Sequence, residues 1–153
     1  MPEPAVSVII PTYNRLEYLK KALITVQAQS LGNWELTIVD DGSSDGTAEY
    51  VESLGDSRVR VERREHSGNP ARIRNVGVRR SRGRYVAFLD SDDLWEPSKL
   101  ERQVAAMAES GCRWSYTRFD MIDDAGRGVP FTAGGDWYPY SGDIVAPLLA
   151  TKA

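Results

Sequence analysis

The stretch Arg84-Tyr85-Val86-Ala87-Phe88-Leu89-Asp90-Ser91-Asp92-Asp93 constrains this chain more than any other. An apolar segment, read as a buried strand, runs directly into four residues of which three are acidic. Carboxylates gathered away from water repel one another and lose hydration, so such a cluster calls for a cationic counterpart. A divalent metal is one candidate. Asp-x-Asp at a rigid strand end offers hard oxygen ligands and leaves coordination positions open for phosphate oxygens. The plainer reading is a polar turn that caps the helix after it.

The rest of the chain bears on that choice. Residues 6–10 are a continuous β-branched run ended by Pro11, the pattern of a strand buried on both faces of a parallel sheet. Leu16, Leu19, Leu23 and Val26 then follow helical spacing. Residues 34–39 read as a second strand, which also runs into acid at Asp40 and Asp41. Ser43, Ser44 or Asp45 can cap a helix reaching about Ser53. Val59 and Val61 alternate with charged residues, predicting a third, half-exposed strand. Pro70 suits the first turn of a helix that stops at Gly83, and the focal strand comes fourth. Pro97 opens another helix, with Leu100, Val104, Met107 and Ala108 on one face. A fifth strand is expected over 113–122, a hairpin turn over 123–127 with 129–132 returning, and a short helix over 143–149.

Alternating strands and helices imply an α/β fold with right-handed crossovers and a mostly parallel sheet flanked by helices. Such sheets bind ligands at the carboxyl ends of their strands. Here those ends carry Pro11-Thr12-Tyr13, Asp40-Asp41 and Asp90-Ser91-Asp92, so three polar clusters are predicted to meet on one edge. That convergence favours a ligand site over a cap.

Length is consistent with one domain over residues 1–153. A net charge of −3 argues against a nucleic-acid partner, and the basic run Arg58, Arg60, Arg63, Arg64 is interleaved with Glu62 and Glu65. The single cysteine, Cys112, fits a reducing compartment, and no apolar run approaches the ~20 residues of a membrane span. Met-Pro-Glu-Pro at the start lacks a signal-peptide pattern, so a cytoplasmic location is expected, with any membrane association made through other parts or partners. His66, the only histidine, reads as a solvated loop residue. Residues 41–52 match a calcium-loop pattern, but that loop needs a helix before it and a strand is predicted there. A dinucleotide-binding Rossmann unit needs a glycine-rich turn after the first strand, and residues 11–15 contain no glycine.

Four blocks carry a resemblance: Val6-Ser7-Val8-Ile9-Ile10-Pro11-Thr12-Tyr13-Asn14-Arg15; Ile38-Val39-Asp40-Asp41-Gly42-Ser43-Ser44-Asp45-Gly46-Thr47; Arg74-Asn75-x-Gly77; and Phe88-Leu89-Asp90-Ser91-Asp92-Asp93. In this order and spacing the chain resembles the family 2 glycosyltransferases of GT-A (Rossmann-like) fold, with a C-terminal β-hairpin. The resemblance implies transfer of a sugar from a nucleotide diphosphate donor, a UDP- or TDP-sugar, to a saccharide or lipid acceptor, with inversion at the anomeric centre. It implies that Pro11, Thr12 and Tyr13 line the nucleotide pocket. Asp41, ahead of Asp40, would accept a hydrogen bond from the base, and Arg74 would lie near the nucleotide. Asp90 would contact the ribose with Ser91 beside it. Asp92 would ligate Mn²⁺ or Mg²⁺, and Asp93 would shape the turn or support the metal shell.

Inverting transfer needs a general base. None of Asp120, Asp123, Asp124, Asp136 and Asp143 matches the family's base motif, so that residue is expected outside the chain, which reads as the nucleotide-binding part without the acceptor-binding part. The alternative is a nucleotide-sugar-binding module without chemistry of its own. Apolar surface left uncovered would favour self-association.

Overall fold

β1 (Val6–Thr12) and β2 (Trp34–Asp40) form the middle of a four-stranded sheet ordered β3-β2-β1-β4 and parallel throughout, with β3 (Val59–Arg63) and β4 (Tyr85–Phe88) outside. The structure, a computed structural model, describes residues 3–130. The chain divides into two compact units, residues 1–115 and 116–153.

In the first unit, the helices α1 (Leu16–Gln27), α2 (Thr47–Ser53), α3 (Pro70–Arg80) and α4 (Lys99–Ser110) alternate with the strands. The apolar spacing read for α1 is the packing face: Leu19, Ala22, Leu23 and Val26 are buried with Val6, Val8, Ile10, Leu36 and Ile38. A smaller cluster of Ile9, Val39, Ile73 and Val76 seats α3 on the sheet. Gly77 is what permits that seat, since a Cβ there would lie 2.4 Å from Cγ2 of Ile9.

Each chain segment contributes specific local chemistry. Asn69 caps α3, its side chain accepting from Arg72 N at 3.1 Å, and Pro70 occupies the first turn as expected. α2 differs: Gly46 is its N-cap, in the left-handed conformation with φ 84°. The side chain of Asp45 still serves that end, accepting from Thr47 N at 3.2 Å and Thr47 Oγ1 at 2.6 Å. On α4 only Leu100 is buried; Val104 and Met107 are half-buried and Ala108 is exposed.

The apolar run before Asp90 predicts a buried fourth strand. β4 is an outer strand of the sheet, not a buried one: Val86 is 40% exposed and Phe88 48%. A run of apolar residues does not distinguish a central strand from an outer one.

At the amino-terminal end of the sheet sits a buried ionic group. Glu35 is 3% exposed and accepts from Ser7 Oγ at 2.7 Å, Arg82 N at 2.7 Å and the Arg82 guanidinium at 2.7 Å. Burial pushes the Glu35 carboxyl up, but the Ser7 and Arg82 hydrogen bonds and the Arg60 charge outweigh it and hold it below its ordinary value.

In the second unit, β5 (Met121–Ile122) pairs antiparallel with β6 (Gly128–Val129). The expected hairpin is present, its turn closed by Asp123 N donating to Arg127 O at 3.0 Å. The fifth strand is far shorter than the 113–122 read from sequence. Thr132, Asp136 and the helix expected over 143–149 lie outside the described residues.

Candidate functional site at the strand ends

β1, β2 and β3 end level with one another, and β4 stops earlier, with Phe88 opposite Ile9. Thr12 is in register with Asp40, Asp40 with Arg63, and Leu89 N donates to Ile9 O at 3.1 Å. The loops that leave these ends therefore share one edge, as the topology predicted.

Hydrogen bonds tie the first two loops together. Asn14, the one non-glycine residue with positive φ (49°) among the described residues, donates its backbone N–H to Ser43 Oγ at 2.9 Å and accepts from Ser44 N at 2.8 Å. Asp45 Oδ2 accepts from Leu16 N at 2.9 Å, placing a carboxylate at the first turn of α1. Asp40 is buried and folds its own loop, with Oδ1 accepting from Ser43 N at 3.0 Å and from Ser43 Oγ.

Asp41 is 5% exposed. Its Oδ1 accepts from Ser67 N at 2.8 Å and Ser67 Oγ at 2.9 Å, and its Oδ2 from Gly68 N at 3.0 Å. Nδ1 of His66 lies 2.9 Å from Asp41 O and 3.2 Å from Asp41 Oδ2. Burial raises the Asp41 pKa, but the bonds from Ser67 and Gly68 and the His66 charge outweigh it, so the carboxyl titrates below its ordinary value. Gly42 allows the close approach of the two loops: it has φ +83°, and a Cβ there would meet His66 N at 2.9 Å.

Tyr13 is 43% exposed and stacks on the His66 ring, with centroids 3.9 Å apart and planes 21° from parallel. His66 is therefore built into the site; its surrounding charged residues and glycine gave the sequence reading no sign of this. Pro11 is half-buried. Thr12 is buried, and among the described residues nothing bonds its Oγ1.

The acidic strand end carries two arginine partners. Arg74, reaching from α3, pairs with Oδ1 of Asp90. Arg15, from the loop before α1, pairs with Oδ2 of Asp92 at 2.7 Å. Ser91 is buried between them in sequence, and Asp93 N donates to Asp90 O at 3.0 Å, closing the turn. The Asp93 carboxyl is pushed up by burial first and then by the charges of Asp90 and Asp92, although part of the residue is exposed. Sequence reasoning missed Arg15 as a partner of Asp92. The pair joins residues 77 positions apart, and only the register of β1 against β4 brings them together.

This donor set fits Mn²⁺ or Mg²⁺ by type, since both ions take carboxylate oxygens. By number it is incomplete: among the described residues no group of three or more His, Cys, Asp or Glu side chains surrounds a common point. An ion held by Asp92 would take most of its ligands from phosphate and water, the usual arrangement for Mg²⁺ on a phosphate-bearing substrate.

A parallel sheet whose carboxyl edge gathers a buried aspartate, an exposed tyrosine and an arginine-paired Asp-x-Asp defines the class: α/β proteins of the GT-A type. The model of glycosyl transferase family 2 matches residues 7–139, and the chain belongs to that family. It is 41% identical over 126 residues to TuaG of Bacillus subtilis, named as a teichuronic acid biosynthesis glycosyltransferase, covering 81% of this chain and 50% of TuaG. The chain thus spans about half the length of that relative. S. aureus TarS in complex with UDP-GlcNAc superposes with a TM-score of 0.65 at 33% identity, over 68% of this chain and 31% of TarS. The mannosyltransferase PcManGT from Pyrobaculum calidifontis, in complex with GDP-Man and Mn²⁺, superposes with a TM-score of 0.63 at 27% identity, over 71% of this chain and 33% of its own.

Proposed function

We propose that this chain is the donor-binding part of a metal-dependent, inverting glycosyltransferase that uses a UDP- or TDP-sugar. The acceptor is a saccharide or lipid, and the setting is cell-surface polysaccharide synthesis. The observation that carries the reading is the meeting of all four sequence blocks at one edge through Asn14–Ser44, Arg15–Asp92 and Arg74–Asp90. TuaG's naming for teichuronic acid biosynthesis and the UDP-GlcNAc complex of TarS support the donor and the setting.

In this reading Pro11, Thr12 and Tyr13 bound the nucleotide, and Asp41 accepts the N–H of its base. Asp90 takes the ribose, with Ser91 beside it. Arg74 and Arg15 hold the two aspartates in place until phosphate arrives, then share their charge with it. A divalent ion on Asp92, when bound, supplies Lewis-acid stabilisation of the charge developing on the departing diphosphate. Without cationic partners the two aspartates would repel that leaving group. The base that deprotonates the acceptor is a residue other than these.

The test is release of UDP from a UDP-sugar in the presence of acceptor, compared between the natural protein and Asp92→Ala. A fall of about 100-fold is expected, the scale of losing one preorganised electrostatic contact to a developing charge. Unchanged turnover would contradict the assignment.

A further inference from the structure

We propose that His66 is a specificity-determining residue that stands in for the nucleobase: its imidazole occupies the Tyr13 face and the Asp41 acceptor position that the donor's base takes on binding. The inference rests on the donor-site reading above.

The chemistry of the two rings is parallel. Uracil and thymine are flat rings that stack on an aromatic face and present one ring N–H. The His66 ring stacks on Tyr13 at 3.9 Å, and its Nδ1 faces two oxygens of Asp41, the backbone O at 2.9 Å and Oδ2 at 3.2 Å. Both oxygens are acceptors, so the tautomer that satisfies them is the one protonated at Nδ1. His66 thus makes with this chain the two contacts expected of the base.

Space and valence both force an exchange. Rings 3.9 Å apart leave no room for a third ring between them. A carboxylate has about four acceptor positions. Those of Asp41 are met by Ser67 N, Ser67 Oγ, Gly68 N and His66 Nδ1. The Ser67 and Gly68 bonds hold the loop itself. The imidazole is the member of this set that can leave, because its side chain is 48% exposed. The backbone beneath it stays fixed against Gly42, where even a Cβ would come within 2.9 Å of His66 N. Binding then swaps one N–H for another on a buried carboxylate that is never left bare. A base that brings a ring N–H can make the swap. Cytosine, which has none at that position, cannot replace the His66 N–H on Asp41, so it leaves the imidazole on Tyr13.

The test uses the fact that His66 is the only histidine in the chain, so its imidazole proton resonances need no assignment. In the free protein they should be shifted by the Tyr13 ring. Saturating UDP with Mg²⁺ should move them towards the position of a solvated histidine, and CDP should not. By calorimetry, His66→Ala should bind UDP about tenfold more tightly, having no internal hydrogen bond to give up, with little change for CDP. Resonances that stay at the Tyr13-shifted position when UDP is saturating, or weaker UDP binding by His66→Ala, would overturn the exchange and make His66 a wall of the pocket. Failure of both proteins to bind UDP with or without metal would instead overturn the donor-site reading, and the exchange with it.

Discussion

Two buried carboxylates, Glu35 and Asp41, sit at opposite ends of the sheet and are both held ionised by hydrogen bonds. Each has a folded pKa below its ordinary value, 4.5 for Glu35 and 3.8 for Asp41. Each therefore binds fewer protons folded than unfolded. The stability they contribute is complete above those ordinary values and is lost as pH falls through the lower folded ones. Urea unfolding between pH 6 and pH 3 should show a steep acid limb that flattens in Glu35→Gln and in Asp41→Asn; an unaltered limb in both would remove the ionic explanation. At neutral pH, Glu35→Ala should cost about 3 kcal/mol, because it strands Arg82 N and Ser7 Oγ at a buried site. The sequence named Asp41 as a site residue because it follows a strand. It gave no hint of Glu35, whose partners Ser7 and Arg82 are 28 and 47 positions away. Charge at a strand end is a local pattern; a buried ion pair across strands is not.

Helix α3 is the element on which the site depends. It carries Arg74 to Asp90 on one side and packs Ile73 and Val76 on the other, and it can do so because Gly77 has no side chain. Gly77→Ala should destabilise the fold by about 2 kcal/mol, since Ile9 must move to admit the methyl. It should also weaken UDP binding by shifting Arg74. Val78→Ala, on the exposed face of the same helix, should change stability by no more than ~0.5 kcal/mol. Thermal melts of the two variants decide this, and equal melting points would place the constraint elsewhere. The order of strands and helices was legible from β1 to α4, because β-branched runs, helical spacing and Pro70 are all local signals. The outer position of β4 was not, because a strand's place in a sheet depends on partners that its own residues do not encode. The loop bearing His66 was equally hidden. Its role comes from Gly42 and Asp41 approaching across the sheet edge, not from its neighbours in sequence.

For the molecule as a whole, the chain spans about half of TuaG, and β4 exposes Val86 and Phe88 to solvent. An outer strand with apolar side chains in water favours association. Light scattering should show mass rising with concentration and returning to that of a monomer in Phe88→Lys; a clean monomer at all concentrations would remove this expectation. No helix among the described residues is long and apolar enough to cross a membrane. In the proposed reading, the edge formed by Asp41, Arg74, Asp90 and Asp92 binds a nucleoside diphosphate through a divalent ion. Calorimetric titration of UDP into the chain, with and without Mn²⁺, and again into Asp92→Ala, tests it most directly. Binding that requires Mn²⁺ and is lost in Asp92→Ala is the predicted result. Binding of equal strength in all three titrations, or none in any, would contradict it.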